Sequence, residues 1–184
     1  MYNFYAESIY NLYLKEERKK RNLKLEDLSK SLSFSLGFVS QLENSINILN
    51  NDKISVLLTF YGYDKDYLSR FNQTVNKLMS KFCHHLLYME NQMVKESYNE
   101  MEEFFSNYKN TSLEQIFLSC KFIYNVYFND ANTAKEYLPP VTHFQYYGEY
   151  FLAILNIYIA RYHMLCMNYE KSIETLTVQY LIIL

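Results

Sequence analysis

Three neighbouring residues, Cys83, His84 and His85, have the clearest potential for metal chemistry in this chain. Thiolate and imidazole groups hold zinc when four ligands converge on one point. Adjacent side chains on a helix point in different directions, so these three are not expected to converge. His143, in a loop, and His163, on a helix, are interpreted as ordinary histidines. The sequence therefore predicts no metal site, no catalytic residue, no cofactor and no enzymatic activity.

A second group with chemical potential is a run of six basic residues within ten positions, from Lys15 to Lys24. Lysine and arginine neutralise the phosphates of DNA, and this interaction supplies much of the affinity of DNA-binding proteins. The residues expected to contact phosphate are Lys19, Lys20, Arg21 and Lys24. The alternative is a solvated helix face, because two glutamates stand in the same run.

Two short amphipathic segments that follow this run have the residue spacing of helices. The first carries Leu25, Leu28 and Leu32, and the second carries Val39 and Leu42. They are joined by a short turn that ends in a serine suited to capping the second helix. Such a pair forms a helix-turn-helix, whose second helix lies in the major groove of DNA.

The segment from Leu23 to Ser45, with the run Val39-Ser-Gln-Leu-Glu-Asn44, resembles the Cro/repressor-like (XRE-type) helix-turn-helix family. The resemblance extends over about residues 10–63. It implies an all-α, lambda-repressor-like domain of five helices. Helices are predicted at Ile9–Arg21, Lys24–Leu32, Ser35–Glu43 and Asp52–Tyr61, with the fifth as a possible turn before residue 9.

The resemblance implies roles for individual residues. Base edges would be reached from Leu36, Gly37 and Gln41, and Asn44 would contact phosphate. Leu36 offers only an apolar surface, suited to a thymine methyl group, whereas the Gln41 amide can read adenine.

One ion pair is expected between the first and third helices. Tyr10, Leu14 and Arg18 are four residues apart, so they share one face and Arg18 points partly toward the core. In the family that this chain resembles, an arginine at this place pairs with the glutamate at Glu43. We therefore predict an Arg18–Glu43 pair with a structural role.

Two departures from the family pattern leave two hypotheses open. The third helix carries no Lys or Arg, and Lys24 and Leu25 stand where the family usually has a polar cap and a glutamine. One hypothesis is a sequence-specific DNA-binding transcription regulator, dimeric because paired half-sites give specificity. The other is a protein-interaction module that keeps the helix-turn-helix scaffold but does not read DNA.

The composition of the 184-residue chain favours helices throughout. Gly 3 and Pro 2 are too few for the turns of an all-β fold or for a glycine-rich phosphate loop. Three widely spaced cysteines predict reduced thiols. We see no signal peptide and no apolar run of the roughly 20 residues that span a bilayer, so a cytoplasmic protein with no membrane partner is expected.

A glycine and a polar link near residue 65 divide the chain into a DNA-binding domain, 1–65, and a helical region, 66–184. The small residues Ser97, Ala134 and Ser172 are 37 and 38 positions apart, each in a short helix after a longer, aromatic-rich one. The segment Arg161–Ile173 resembles the turn and second helix of a tetratricopeptide (TPR) unit. Stacked hairpins of this kind form a solenoid with a concave groove.

An XRE-type domain followed by TPR-like hairpins resembles the peptide-sensing regulators of the Rgg-like and PlcR-like families. In those families the repeats bind a short signal peptide and mediate dimerisation, so the resemblance implies a homodimer and a signalling peptide as partners. Asparagine can bind peptide backbone, and the candidate peptide-binding residues are Asn125, Asn129, Tyr147, Tyr150, Asn156 and Arg161.

Overall fold

The structure is a computed structural model that describes residues 4, 9–44, 51–140, 143, 145 and 147–183, with side chains as far as 177 and without that of residue 51. The described part of the chain is helical and has no β-strand, so the all-α prediction is confirmed. It forms two compact units. The first unit is Glu7–Val75 with Asn110–Leu113, and the second is Met1–Ala6, Asn76–Lys109 and Glu114–Leu184.

The first unit contains four complete helices and the beginning of a fifth. These are α1 (Ile9–Lys20), α2 (Leu25–Leu32), α3 (Leu36–Asn44), α4 (Asn51–Phe60) and the first part of α5 (Tyr67–Leu87). The predicted bounds of the first four differ from these by one residue at most ends. The predicted turn before residue 9 lies outside the described residues.

Local chemistry explains where these helices begin and end. The Asp27 carboxylate accepts the Lys24 backbone N–H at 2.7 Å, which caps α2, and Ser33 ends α2 in the left-handed region with φ 54°. Ser35 Oγ accepts the Phe38 N–H at 3.2 Å, so this serine caps α3 as predicted. Gly62, with φ 85°, follows the end of α4 in a conformation that glycine adopts without strain.

The core of the first unit is built from apolar side chains at helical spacing. α3 packs against both α1 and α2. The fully buried side chains that these helices and α4 contribute include Ile9, Leu14, Leu28, Val39, Leu42, Leu57 and Leu58. Their burial fixes which face of each helix remains outside.

The second unit consists of helices packed in chain order. It contains the rest of α5, then α6 (Asn91–Phe105), a 3-10 turn (Ser106–Tyr108), α7 (Glu114–Tyr127), α8 (Ala131–Glu136), α9 (Glu149–Leu165) and α10 (Tyr169–Ile183). α7 packs on α6, α8 and α9, and α9 packs on α10. None of the described helices is both long and apolar enough to cross a membrane.

Each of the three small residues of the predicted repeat lies in a helix that is shorter than the helix before it. Ser97 in α6, Ala134 in α8 and Ser172 in α10 are all buried. The sequence predicts a helix from about Phe144 to Met167; residue 144 lies outside the described residues, and α9 extends from Glu149 to Leu165. The backbone is still extended at Gly148, whose N–H donates to the Phe4 carbonyl at 3.0 Å.

Candidate nucleic-acid interface

The turn between α2 and α3 is closed by hydrogen bonds. Ser29 Oγ donates to the Phe34 carbonyl at 2.6 Å, and the Phe34 N–H donates to the Ser29 carbonyl at 3.0 Å. The Phe34 ring meets the Phe38 ring edge-on, with centroids 5.4 Å apart. These contacts fix the direction in which α3 leaves the turn.

The outer face of α3 carries the residues predicted to reach base edges. Leu36 is 44% exposed, and Gly37 and Gln41 are also exposed. On the opposite face Val39 and Leu42 are buried. A Cβ added at Gly37 would meet no atom within 4 Å, so there is open space beside this residue.

Asn44, predicted to contact phosphate, ends the same helix and lies beside a cation. Lys15 Nζ donates to Asn44 Oδ1 at 2.7 Å, and Asn44 Nδ2 donates to the Ser40 carbonyl at 2.8 Å. The two bonds orient the amide and place a positive charge at the end of α3. Lys15 was not among the four residues predicted to contact phosphate. Its contact with Asn44 joins residues 29 positions apart in the chain, so the local sequence does not indicate it.

Arg18 and Glu43 lie in direct contact. Arg18 Nε donates to Glu43 Oε1 at 2.7 Å, and Nη2 donates to Oε2 at 2.8 Å. The side chains are 12% and 3% exposed, so the pair is largely shielded from water. The hydrogen bond to Glu43 raises the pKa of Arg18 above its ordinary value. This pair joins α1 to α3.

Two of the predicted phosphate contacts, Lys20 and Arg21, are engaged inside the first unit. Both donate to the buried carboxylate of Glu17, Lys20 at 3.0 Å, and Arg21 also donates to the Tyr61 carbonyl at 2.8 Å. Tyr63 Oη donates to the same carboxylate at 2.8 Å. Burial favours a raised pKa for Glu17, but the hydrogen bonds from Arg21, Tyr63 and Lys20 outweigh it and lower the pKa.

The other two predicted phosphate contacts, Lys19 and Lys24, are both exposed. Lys19 lies at the end of α1, and Lys24 lies just before α2. A further cation that sequence reasoning did not single out is Lys53, whose Nζ lies 4.0 Å from the centroid of the Phe38 ring. Only the folded chain brings this residue of α4 to the start of α3.

Two of the candidate peptide-binding residues, Asn129 and Arg161, meet in the second unit. Arg161 Nη2 donates to Asn129 Oδ1 at 3.0 Å and to the Tyr127 carbonyl at 3.3 Å. Asn129 has a positive φ of 64° and follows the end of α7. The contact therefore connects α9 to the end of α7.

Three of the remaining four candidates contact other residues. Asn125 Nδ2 donates to the Lys121 carbonyl of its own helix at 2.8 Å. Tyr147 is 6% exposed and its hydroxyl is bonded to Ser119 Oγ. Tyr150 meets the Phe4 ring edge-on at 5.5 Å, and Asn156 is half-buried on α9.

The histidines of the opening motif lie at the end of α5. Cys83 is buried, and burial raises the pKa of its thiol to about 12. His84, His85 and Glu90 each place one donor atom within 4.8 Å of the others. The prediction that no metal site forms considered only Cys83, His84 and His85 on one helix. It did not include Glu90, which lies beyond the end of α5.

Comparison with known proteins matches residues 14–68 to a helix-turn-helix family. The match begins within α1, includes α2, α3 and α4, and ends at the start of α5. The match supports the Cro/XRE-like resemblance for this part of the chain. Members of the matched family are DNA-binding regulators and are typically not enzymes. No curated protein and no solved structure matches the chain.

Proposed function

We propose that this chain, whose residues 14–68 match a helix-turn-helix family, is a sequence-specific DNA-binding transcription regulator. The observation that carries the proposal is the division of α3 into two faces. Val39 and Leu42 are buried, while Leu36, Gly37 and Gln41 project outward with open space around Gly37. A helix that is anchored on one side and open on the other can enter the major groove.

The open face supports a specific mode of base reading. We assign Gln41 to a bidentate contact with adenine, since its amide offers one donor and one acceptor. Leu36 packs against a thymine methyl group. Gly37 contributes no side chain, so the backbone of α3 can approach the base edges closely.

Phosphate contacts in the proposal come from Lys19, Lys24 and the Asn44 amide. Lys19 and Lys24 are exposed, and the amide is held at the end of α3 next to Lys15. Lys20 and Arg21, which were expected to share this role, already donate to Glu17, and Arg21 also donates to the Tyr61 carbonyl. We therefore assign Arg21 mainly to the structure of the first unit.

A second candidate function has its own support. α3 carries no Lys or Arg, and Lys20 and Arg21 are paired with Glu17. Both facts weaken attraction to DNA and favour a protein-interaction module that retains the helix-turn-helix scaffold. An exposed leucine on α3 would then contact a protein instead of a thymine.

We assign DNA binding to residues 1–65 and dimerisation to the helical region 66–184. The support for dimerisation is a set of large apolar side chains exposed on α9, on α10 and in the turn between them. They are Ile157, Met164, Met167, Tyr169, Ile173 and Leu176. A homodimer would cover such side chains and place two copies of α3 on paired half-sites.

Control by a short signalling peptide completes the proposal for region 66–184. Its basis is the resemblance to TPR-like hairpins, together with the burial of Ser97, Ala134 and Ser172 in alternate helices. Asn156, which is half-buried on α9, is the candidate contact that we test. We leave Tyr147 out because it is buried and bonded to Ser119. A regulator of this kind acts in the cytoplasm.

The DNA-binding proposal is tested by selecting duplexes from a random library with the purified full chain, together with duplexes that flank its own gene. Enrichment of one sequence motif over a scrambled competitor is the expected result. A folded protein that enriches no motif at low salt would contradict DNA reading. It would support the interaction module.

The two proposals for region 66–184 are tested separately. Sedimentation equilibrium should show a dimer that Ile173→Glu dissociates, while Lys171→Glu, an exposed change on the same helix, leaves it intact. A dimer that is unaffected by Ile173→Glu would show that the apolar face of α10 is not the dimer interface.

Selection from a library of short peptides should yield a ligand that Asn156→Ala binds more weakly. If no peptide is enriched, the result counts against peptide control.

A further inference from the structure

The end of α5 folds back on itself through a tight turn. Met89 has a φ of 55°, and the Glu90 N–H donates to the His85 carbonyl at 3.1 Å. The Tyr88 N–H donates to the His84 carbonyl at 3.1 Å, which completes the last turn of the helix. The chain therefore returns Glu90 to the face of α5 that carries the two histidines.

This turn brings three potential metal ligands together. Donor atoms of His84, His85 and Glu90 lie within 4.8 Å of one another, and His85 Nδ1 lies 2.5 Å from Glu90 Oε2. His84 is exposed, and the side chains of His85 and Glu90 are 12% and 45% exposed. A metal ion can therefore reach the cluster from solvent.

We propose that His84, His85 and Glu90 form a binding site for a divalent transition metal ion of the zinc class. Two imidazoles and one carboxylate are a ligand set that Zn²⁺ accepts, with a fourth position left to water. Ligands at the usual bond lengths of about 2.0–2.1 Å around a tetrahedral ion lie roughly 3.3 Å apart. The exposed His84 side chain must therefore rotate toward the other two ligands, and the Glu90 carboxylate must move back from His85 Nδ1, from 2.5 Å to about 3.3 Å.

Bound metal would replace the contact between His85 and Glu90 by two coordinate bonds and add His84 as a third ligand. It would hold the end of α5 to the residue that precedes α6. That turn also carries Leu87, Tyr88 and Met89, which are 60%, 67% and 77% exposed. The metal would thus fix the conformation of an exposed apolar turn, independently of whether the first unit binds DNA.

The test is isothermal titration of the full chain, purified without a histidine tag, with Zn²⁺. The background variant is Cys166→Ser, because Cys166 is an exposed thiol three residues after His163 and could bind the ion by itself. We expect one ion per chain. Glu90→Gln and His84→Gln should each weaken binding at least about tenfold, while His163→Gln should leave the affinity unchanged.

Circular dichroism establishes that each variant is folded. The substitutions are placed at His84 and Glu90 because both residues are exposed. A change at the less exposed His85 could disturb α5, so the test does not depend on it. Absence of Zn²⁺ binding by the folded background variant would overturn the proposal. So would binding that survives both Glu90→Gln and His84→Gln at full affinity.

Discussion

Arg18 on α1 holds Glu43 on α3 through two parallel hydrogen bonds, Nε to Oε1 at 2.7 Å and Nη2 to Oε2 at 2.8 Å. Its third nitrogen, Nη1, donates to the Leu23 carbonyl at 2.7 Å. One guanidinium group therefore ties α3 to α1 and to the segment that leads into α2. This fork fixes the position of the helix that we propose enters the major groove.

Loss of Glu43 should destabilise the first unit. Glu43→Ala leaves the guanidinium of Arg18 without its carboxylate partner, and removing one member of a buried pair costs about 3–5 kcal/mol. Because Arg18 retains some exposure, we expect a value near the lower end in chemical denaturation. Arg70→Ala, which removes the exposed Arg70–Asp64 pair, is the control and should leave the unfolding midpoint unchanged. Equal effects of the two changes would refute a stabilising role for the fork.

Loss of the Gln41 amide should reduce base discrimination without affecting folding. Gln41 is exposed on α3, so Gln41→Ala is expected to unfold like the wild type. One bidentate contact to a base provides about 1–3 kcal/mol of discrimination, and this should disappear at a single base pair. The measurement is a competition with duplexes substituted one position at a time. Gln73→Ala, an exposed change on α5, should keep the base preferences of the wild type at every position. If Gln41→Ala also keeps them, Gln41 does not contact a base.

The salt dependence of DNA binding should identify the phosphate contacts. Changing Lys19 and Lys24 together to Gln should reduce the slope of log K against log salt by about 2, since each phosphate contact contributes about 0.9. The same double change at Lys77 and Lys135, both exposed in the second unit, serves as the control. An identical slope for the two double variants would remove Lys19 and Lys24 from the interface.

Acid should destabilise the first unit through Glu17. Because its pKa in the folded state is lowered below the usual 4.5, ionised Glu17 contributes stability that is present above this pH. That contribution is lost as the pH falls through the lowered pKa. Glu17→Gln should therefore be less stable than the wild type at pH 7, and its stability should depend less on pH below about 4.5. Urea unfolding at several pH values measures both, with the exposed Glu26→Gln as control. Parallel pH curves for wild type and Glu17→Gln would show that this carboxylate is not linked to folding.

Local signals made much of the first unit predictable. The leucine spacing, the cap at Ser35 and the glycine after α4 each depend on residues within one or two helical turns. The pairing of Arg18 with Glu43 spans 25 residues, and it was predicted only because a helix-face argument was joined to a family resemblance. The structure places these two side chains together.

Contacts between distant residues could not be predicted in this way. The buried Glu17 carboxylate accepts hydrogen bonds from Lys20, from Arg21 and from Tyr63, which lies 46 residues later. Nothing in the basic run indicates that partner. In α6 the spacing of Met93, Ser97 and Met101 predicts one apolar stripe; Ser97 and Met101 are buried, but Met93 is 37% exposed and Val94 is buried instead.

The central claim is that the open face of α3 contacts DNA, and Gly37→Glu tests it most directly. A Cβ at this position meets no atom within 4 Å, so we expect the fold to be kept, while the carboxylate places a negative charge against the groove. We would measure fluorescence anisotropy of the selected duplex with wild type, Gly37→Glu and the exposed α5 change Ser69→Glu. We expect the affinity for the duplex to fall at least about tenfold for Gly37→Glu and to stay unchanged for Ser69→Glu. Equal affinity of all three proteins would contradict the central claim.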